Sequence, residues 1–198
     1  MSMIHRAMIS VLAVLIGGAG ALAQQPTNVR GAITAFDGKQ LSVKTSDGKT
    51  VVVDLPETVN VAITKPFSLA DVKPGMALGV TTVKKADGSV LAIDLRPIPA
   101  TANLGLSPYD LQPQSTMTNA TFEGSTAAAS GNEITLNYKS GTIKVLVIPG
   151  ATAMSQAAPG KRDDLAPGEI VFVAARAEGD KLTAVRVQVS KDGVKPTQ

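Results

Sequence analysis

From Val29 onward, apolar and polar residues alternate in short runs separated by turn-forming pairs, the period-2 signature of half-buried strands. Val29, Gly31, Ile33 and Ala35 fall on one face, with Arg30, Ala32, Thr34 and Phe36 on the other. Asp37-Gly38 turns the chain into Leu41, Val43 and Thr45, and Asp47-Gly48 then marks a tight hairpin into Val51, Val53 and Leu55. A fourth run follows at Val59, Val61 and Ile63. The stretch from Ser68 to Gly75 has a serine able to cap a single helical turn and a Pro-Gly pair to end it. A fifth strand is expected over 76–84 and a sixth through Leu91, Ile93 and Leu95.

The pattern then recurs. An offset of 93 residues carries Gly31, Gly38, Gly48 and Gly75 onto Gly124, Gly131, Gly141 and Gly168, and Pro56, Pro66 and Pro74 onto Pro149, Pro159 and Pro167. Glycine and proline mark reversals and close approaches, so matched punctuation predicts matched chain paths. The apolar positions agree: Leu41, Val43, Val53, Leu55 and Leu78 map onto Ile134, Leu136, Leu146, Ile148 and Val171. One residue is lost in the final turn, which aligns Ile93 with Val185 and Leu95 with Val187. The fold expected is all-β: two tandem small OB-like β-barrels related by an internal duplication and joined by a Pro-rich linker. Short twisted strands with no covering helix bury their apolar face best by closing the sheet, which also removes its edges. An open two-sheet sandwich in each repeat is the alternative. The boundaries expected are 24–96 for the first barrel, 97–118 for the linker and 119–190 for the second barrel, with a polar, frayed tail at 191–198. Leu104, Leu106, Tyr109 and Leu111 make the linker apolar enough to lie against the barrels.

Each repeat resembles a secreted bacterial OB-like domain family of unknown function. The resemblance rests on Val29-Arg30-Gly31-Ala32-Ile33, the Asp47-Gly48 hairpin, Ser68-Leu69 leading to Val72-Lys73-Pro74-Gly75, and Leu91-Ala92-Ile93. Ser115-Thr116-Met117-Thr118-Asn119-Ala120 is similar to a segment found between such repeats. The resemblance implies an exported protein of tandem OB-like units.

Residues 1–23 read as a cleavable signal peptide. Arg6 supplies the positive start, Ala7 to Ala21 an apolar run too short to span a bilayer, and Ala21-Leu22-Ala23 the small-residue site before Gln24. The bacterial style of this leader predicts the periplasm. No later segment is long and apolar enough to span, so no membrane span is expected in the mature chain.

Composition narrows the chemistry. There is no cysteine, and the one histidine, His5, lies in the leader. Disulfides, thiolate catalysis and imidazole-based metal or acid–base chemistry are therefore excluded from the mature chain. Loss of Arg6 reduces the formal net charge from +3 to +2, and six aromatic residues are scattered through the sequence, a poor match for a nucleic-acid platform. No cofactor is implied and no metal site is expected. Asp163-Asp164 reads as capping of a short turn rather than as a calcium site. Met76 and Met154 read as core, leaving Met117 open to a ligand. Ser42 with Lys44, and Ser140 with Lys139, lack the strained turn and partner base of a hydrolase, so no catalytic residue is assigned. The candidate ligand-binding residues are Tyr109, Met117, Asn119, Lys161 and Arg162. The leading expectation is a soluble periplasmic, non-catalytic binding or accessory module, its partner a small ligand or an envelope protein. The alternatives are an envelope metal-handling or stress-related accessory protein with a carboxylate/methionine site and, third, a cryptic hydrolase.

Overall fold

A computed structural model describes residues 27–197; the expected leader lies outside the described residues. The chain is all-β. The first half supplies β1 (Thr27–Phe36), β2 (Gln40–Thr45), β3 (Thr50–Asp54), β4 (Val61–Pro66), β5 (Ala77–Lys84) and β6 (Val90–Pro97). The rest supplies β7 (Gly105–Pro108), β8 (Thr116–Ala128), β9 (Gly131–Tyr138), β10 (Gly141–Val147), β11 (Ala153–Pro159), β12 (Ile170–Glu178) and β13 (Lys181–Val189). Two single 3-10 turns, Leu69–Asp71 and Arg162–Asp164, precede β5 and β12. No helix among the described residues is long and apolar enough to cross a membrane.

The strands close into barrels, but the partners differ from those expected. One closed five-stranded circuit runs β1-β2-β3-β13-β12, sealed by a short parallel pairing of Thr183 with Asp54 and by antiparallel pairing of β1 with β12. The other runs β8-β9-β10-β6-β5, sealed by Leu146 against Leu91 and by β5 against β8. The segments 24–96 and 119–190 therefore do not each close on themselves. The chain lays down three strands of one barrel, crosses through β4, builds the whole of the other and returns through β11 to finish the first. Antiparallel pairing of β4 with β11, in which Thr64 meets Ala157, joins the two circuits. The buried clusters follow the same exchange. Val29, Ile33, Leu41, Val43 and Val53 pack with Val171, Val173, Val187 and Val189, whereas Leu78, Val80 and Leu95 pack with Phe122, Ile134, Leu136 and Val145. Each fully buried aliphatic side chain is worth about 1.5–3 kcal/mol, so neither cluster survives removal of half its contributors.

Three local departures follow from this arrangement. The segment 97–118 is no free spacer: it joins strands within the second barrel, and β7 forms inside it along β8. The 93-residue offset does not hold for the first strand. Ile33 pairs with Val43, ten residues on, whereas Phe122 pairs with Leu136, fourteen residues on. The β8–β9 hairpin is thus four residues longer, and Ala120 rather than Gly124 takes the place of Gly31. Gly31 itself has no alternative, because a Cβ there would lie 2.1 Å from the Lys44 carbonyl oxygen. Finally, residues 191–197 of the expected tail make contacts. Lys191 and Val194 bridge across a turn, Pro196 is buried, and Thr197 makes the contacts described below.

Two expectations test this account. Residues 27–97, expressed alone, should show no cooperative thermal transition as a monomer and should gain one on mixing with 98–197. A monomeric fragment that melts cooperatively would show that a half closes on itself. The register also places Thr118 where the first barrel has Val29, facing the core with a fully buried hydroxyl that has no hydrogen-bond partner among the described residues. Thr118→Val should raise stability by about 1 kcal/mol, read from denaturant unfolding, because an unpaired buried hydroxyl costs that much or more.

Candidate functional site

The outward faces of the two barrels meet around a cavity of about 810 Å³. On the first barrel, β-pairing aligns Arg30 with Phe172 and Asn28 with Ala174, and these continue to Gln188 and Arg186 on β13. On the second, Arg96 lies in one row with Gly79 and Asn119, and Asp94 with Thr81 and Met117. Ser107 to Asp110 of the connecting segment form a further wall. Tyr109, Met117 and Asn119, far apart from Arg96 and Arg186 in sequence, are therefore brought into one site.

Two β-bulges aim the charged groups. In β6 the register steps from Asp94 to Ala92 against consecutive residues of β5, leaving Ile93 unpaired; in β13 it steps from Arg186 to Ala184, leaving Val185 unpaired. An extra residue in one strand reverses the alternation beyond it. Leu95 and Ala92 can then both face the core while Asp94 and Arg96 face the cleft.

The cleft is held by two ion pairs. Arg30 Nη1 and Nη2 donate to the Asp110 carboxylate at 3.1 and 2.9 Å, Nη2 also reaches the Tyr109 hydroxyl at 3.0 Å, and Asn28 donates to both Asp110 oxygens at 3.0 Å. This fork pins the connecting segment to β1. Burial disfavours the Arg30 charge, but the Asp110 and Tyr109 contacts outweigh it and raise its pKa. Partial burial likewise opposes ionisation of Asp110, and its bonds from Arg30 and Asn28 together overcome that and lower its pKa. Tyr109 is raised by burial. Arg96 Nη1 donates at 2.7 Å to Asp94, whose side chain is 0% exposed, and Nη2 approaches the Met117 sulfur at 3.8 Å. Loss of hydration, against the pull of Asp94 and with the push of Arg186, lowers the Arg96 pKa; Arg186 is lowered by the same loss of hydration. Phe172 carries two guanidinium groups over its ring, Arg30 at 5.0 Å and Arg186 at 5.4 Å. The tail closes one side: the Thr197 hydroxyl donates to Asp94, and its carbonyl accepts from Arg30 Nε at 3.2 Å.

Lys161 and Arg162 lie elsewhere. Arg162 donates to the carbonyls of Gly38, Leu55 and Pro56 at 2.9–3.2 Å and covers the Phe36 ring at 5.5 Å, closing one end of the first barrel. Lys161 is exposed, and its backbone amide is capped by Asp164 at 2.7 Å. Asp164 also binds Lys191, which accounts for one carboxylate of the Asp163-Asp164 pair. Among the described residues no three His, Cys, Asp or Glu side chains are grouped to hold a metal ion. Met117, next to the Arg96 guanidinium, sits where positive charge opposes a cation. The residues that sequence reading missed are Asn28, Arg30, Asp94, Arg96, Phe172 and Arg186. Arginine at alternating strand positions reads as a solvated face, and only the exchange of strands turns those faces toward each other. Comparison with models of known families, with curated proteins and with solved structures gives no match.

Acid should release the connecting segment. The Asp110 pKa is depressed on folding, so the stability it contributes is present above the ordinary value of 3.8 and is lost as pH falls through its lower, folded value. The Asp110 carboxyl carbon, followed by NMR, should titrate below 3.8 in the native chain and move upward in Arg30→Gln. An unchanged midpoint in that variant would remove the fork from the account.

Proposed function

We propose that this protein is a non-catalytic binding module whose ligand occupies the cleft between the barrels. The carrying observation is the convergence of two arginines, Arg96 and Arg186, with Tyr109, Phe172, Met117 and two asparagines on one cavity of about 810 Å³. That volume lies within the range of about 300–1,000 Å³ usual for small-molecule sites. Polar groups converge on an apolar wall of Pro108, Met117, Phe172 and Ala174, an arrangement that orients a ligand. The architecture suits such a role: we read it as a duplicated OB-like unit whose copies have exchanged their closing strands, which places the cleft at the joint. Export to the periplasm belongs to the same proposal and rests on the leader alone.

Methionine methyl resonances offer a direct test. With the full chain labelled at Met methyl groups, small molecules from a mixed fragment set that bind should shift Met117, while Met76 and Met154, packed against the second core, stay fixed. Fragments that bind only at the barrel end formed by Asp37, Gln40, Asp54 and Glu57, a cavity of about 560 Å³, would move the site and overturn the assignment.

A further inference from the structure

Beyond β13 the chain turns back and lays three residues across the joint between the barrels. Lys191 and Val194 exchange main-chain bonds at 3.1 and 2.9 Å around Asp192 and Gly193, both at positive φ, and Lys191 Nζ is anchored by Asp164 at 2.9 Å. Among the described residues, no main-chain pairing continues past Val194. What holds the remainder is side-chain recognition. Lys195 is exposed, Pro196 is buried, and Thr197 is gripped from both sides of the joint. Its hydroxyl donates to Asp94 of β6, on the second barrel, and its carbonyl accepts from Arg30 Nε of β1, on the first, at 3.2 Å. Neither receiving group is held by Thr197 alone: Arg96 bonds the Asp94 carboxylate at 2.7 Å, and Asp110 and Tyr109 engage the Arg30 fork. We infer that this is a peptide-binding subsite whose resident occupant is residues 195–197, and that it takes from a partner protein a segment in which proline is followed by threonine or serine. The inference goes beyond the reading of the cavity as a small-molecule site and does not rest on it.

The contacts read a short motif. The Asp94 side chain is 0% exposed, so an apolar residue at the Thr197 position would take a charge-assisted bond from a carboxylate buried away from water. Serine keeps that hydroxyl. The bond from Arg30 to the main-chain carbonyl fixes the register of the segment without regard to its side chains. Proline fills the buried position at little entropic cost because its φ is already set, and it biases the residue before it to an extended backbone. That residue, Lys195, is exposed, so its side chain is not read. The resident is tethered through Val194, which places it at a local concentration on the order of millimolar. A second copy's segment offers the same contacts without the tether and loses to it. A partner segment displaces it by making further contact along the cavity bordered by Arg96 and Met117.

The test removes residues 195–198, keeping the turn between Lys191 and Val194, and adds the missing segment back as a fluorescein-labelled peptide of residues 193–198, followed by anisotropy. The peptide should bind the shortened chain saturably and the intact chain about tenfold or more weakly, since the tethered resident competes. A Thr197→Val peptide should bind the shortened chain about tenfold or more weakly than the parent, the effect of losing one hydrogen bond to a charged group. A Thr197→Ser peptide should bind nearly as well as the parent. If the shortened chain lacks a cooperative thermal transition, Thr197→Val in the full chain takes its place: it loosens the resident and should let the unaltered peptide bind. A folded shortened chain or Thr197→Val chain that ignores the peptide, or a shortened chain that binds the Thr197→Val peptide equally well, overturns the subsite. Equal binding by the intact and shortened chains puts the peptide elsewhere and overturns the occupancy. An intact chain that elutes as a dimer where the shortened chain elutes as a monomer makes a second copy the occupant and overturns the partner assignment. Shifts of the Met117 methyl with fragments report on the cavity separately, so either reading can fail while the other stands.

Discussion

Main-chain pairing between strands distant in sequence, β1 with β12 and β3 with β13 on one side and β5 with β8 and β6 with β10 on the other, is the constraint on which everything else rests. A strand left without these neighbours exposes a row of unpaired amides and carbonyls and leaves half of an apolar cluster in water. The first barrel is sealed by β12 and β13, which return only after the whole of the second barrel has been laid down between β4 and β11. The β4–β11 pair holds the crossing points together, and the Thr64 hydroxyl, buried there, donates to Val189 at 2.9 Å and accepts from Gln188 at 3.1 Å. Pairings between residues more than a hundred positions apart carry a large loop-closure cost, so folding should be slow relative to a self-closing repeat.

The cleft inherits its rigidity from that arrangement. Its walls are regular strands of both circuits, and its third side is tied down by the Arg30–Asp110 fork and by Thr197 over Asp94. Asp94 is completely buried with Arg96 and the Thr197 hydroxyl bonded to it, and a charge left alone in such a place would cost several kcal/mol. The arginines therefore divide into those that build the walls and those that face the space between them.

The 3-10 turns show a parallel division of labour. Ser68 caps the first through Ala70 while Asp71 returns to the Ser68 amide, a reciprocal box that the sequence announces. In the second turn, lysine stands at the capping position and only the Asp164 half of that box remains. The guanidinium of Arg162 takes on a different task, gathering three carbonyls at a barrel end. Arg162, which looks available for a ligand when read along the chain, is thus consumed by backbone carbonyls.

The sequence by itself determined the local structure: the alternation dictated strands, and Asp-Gly and Pro-Gly pairs dictated the reversals. These are short-range effects, set by backbone sterics and by which side chains avoid water within a few residues. It also pointed to Tyr109, Met117 and Asn119, because a segment both apolar and proline-rich has to lie against something. Only the tertiary structure decided which set of strands closes which barrel. A closing strand presents the same apolar face to partners near and distant in sequence, and nothing local distinguishes the two pairings. Nor could alternation reveal that bulges at Ile93 and Val185 would turn Asp94, Arg96 and Arg186 toward the cleft, since a bulge is recognisable only once the opposing strand is in place.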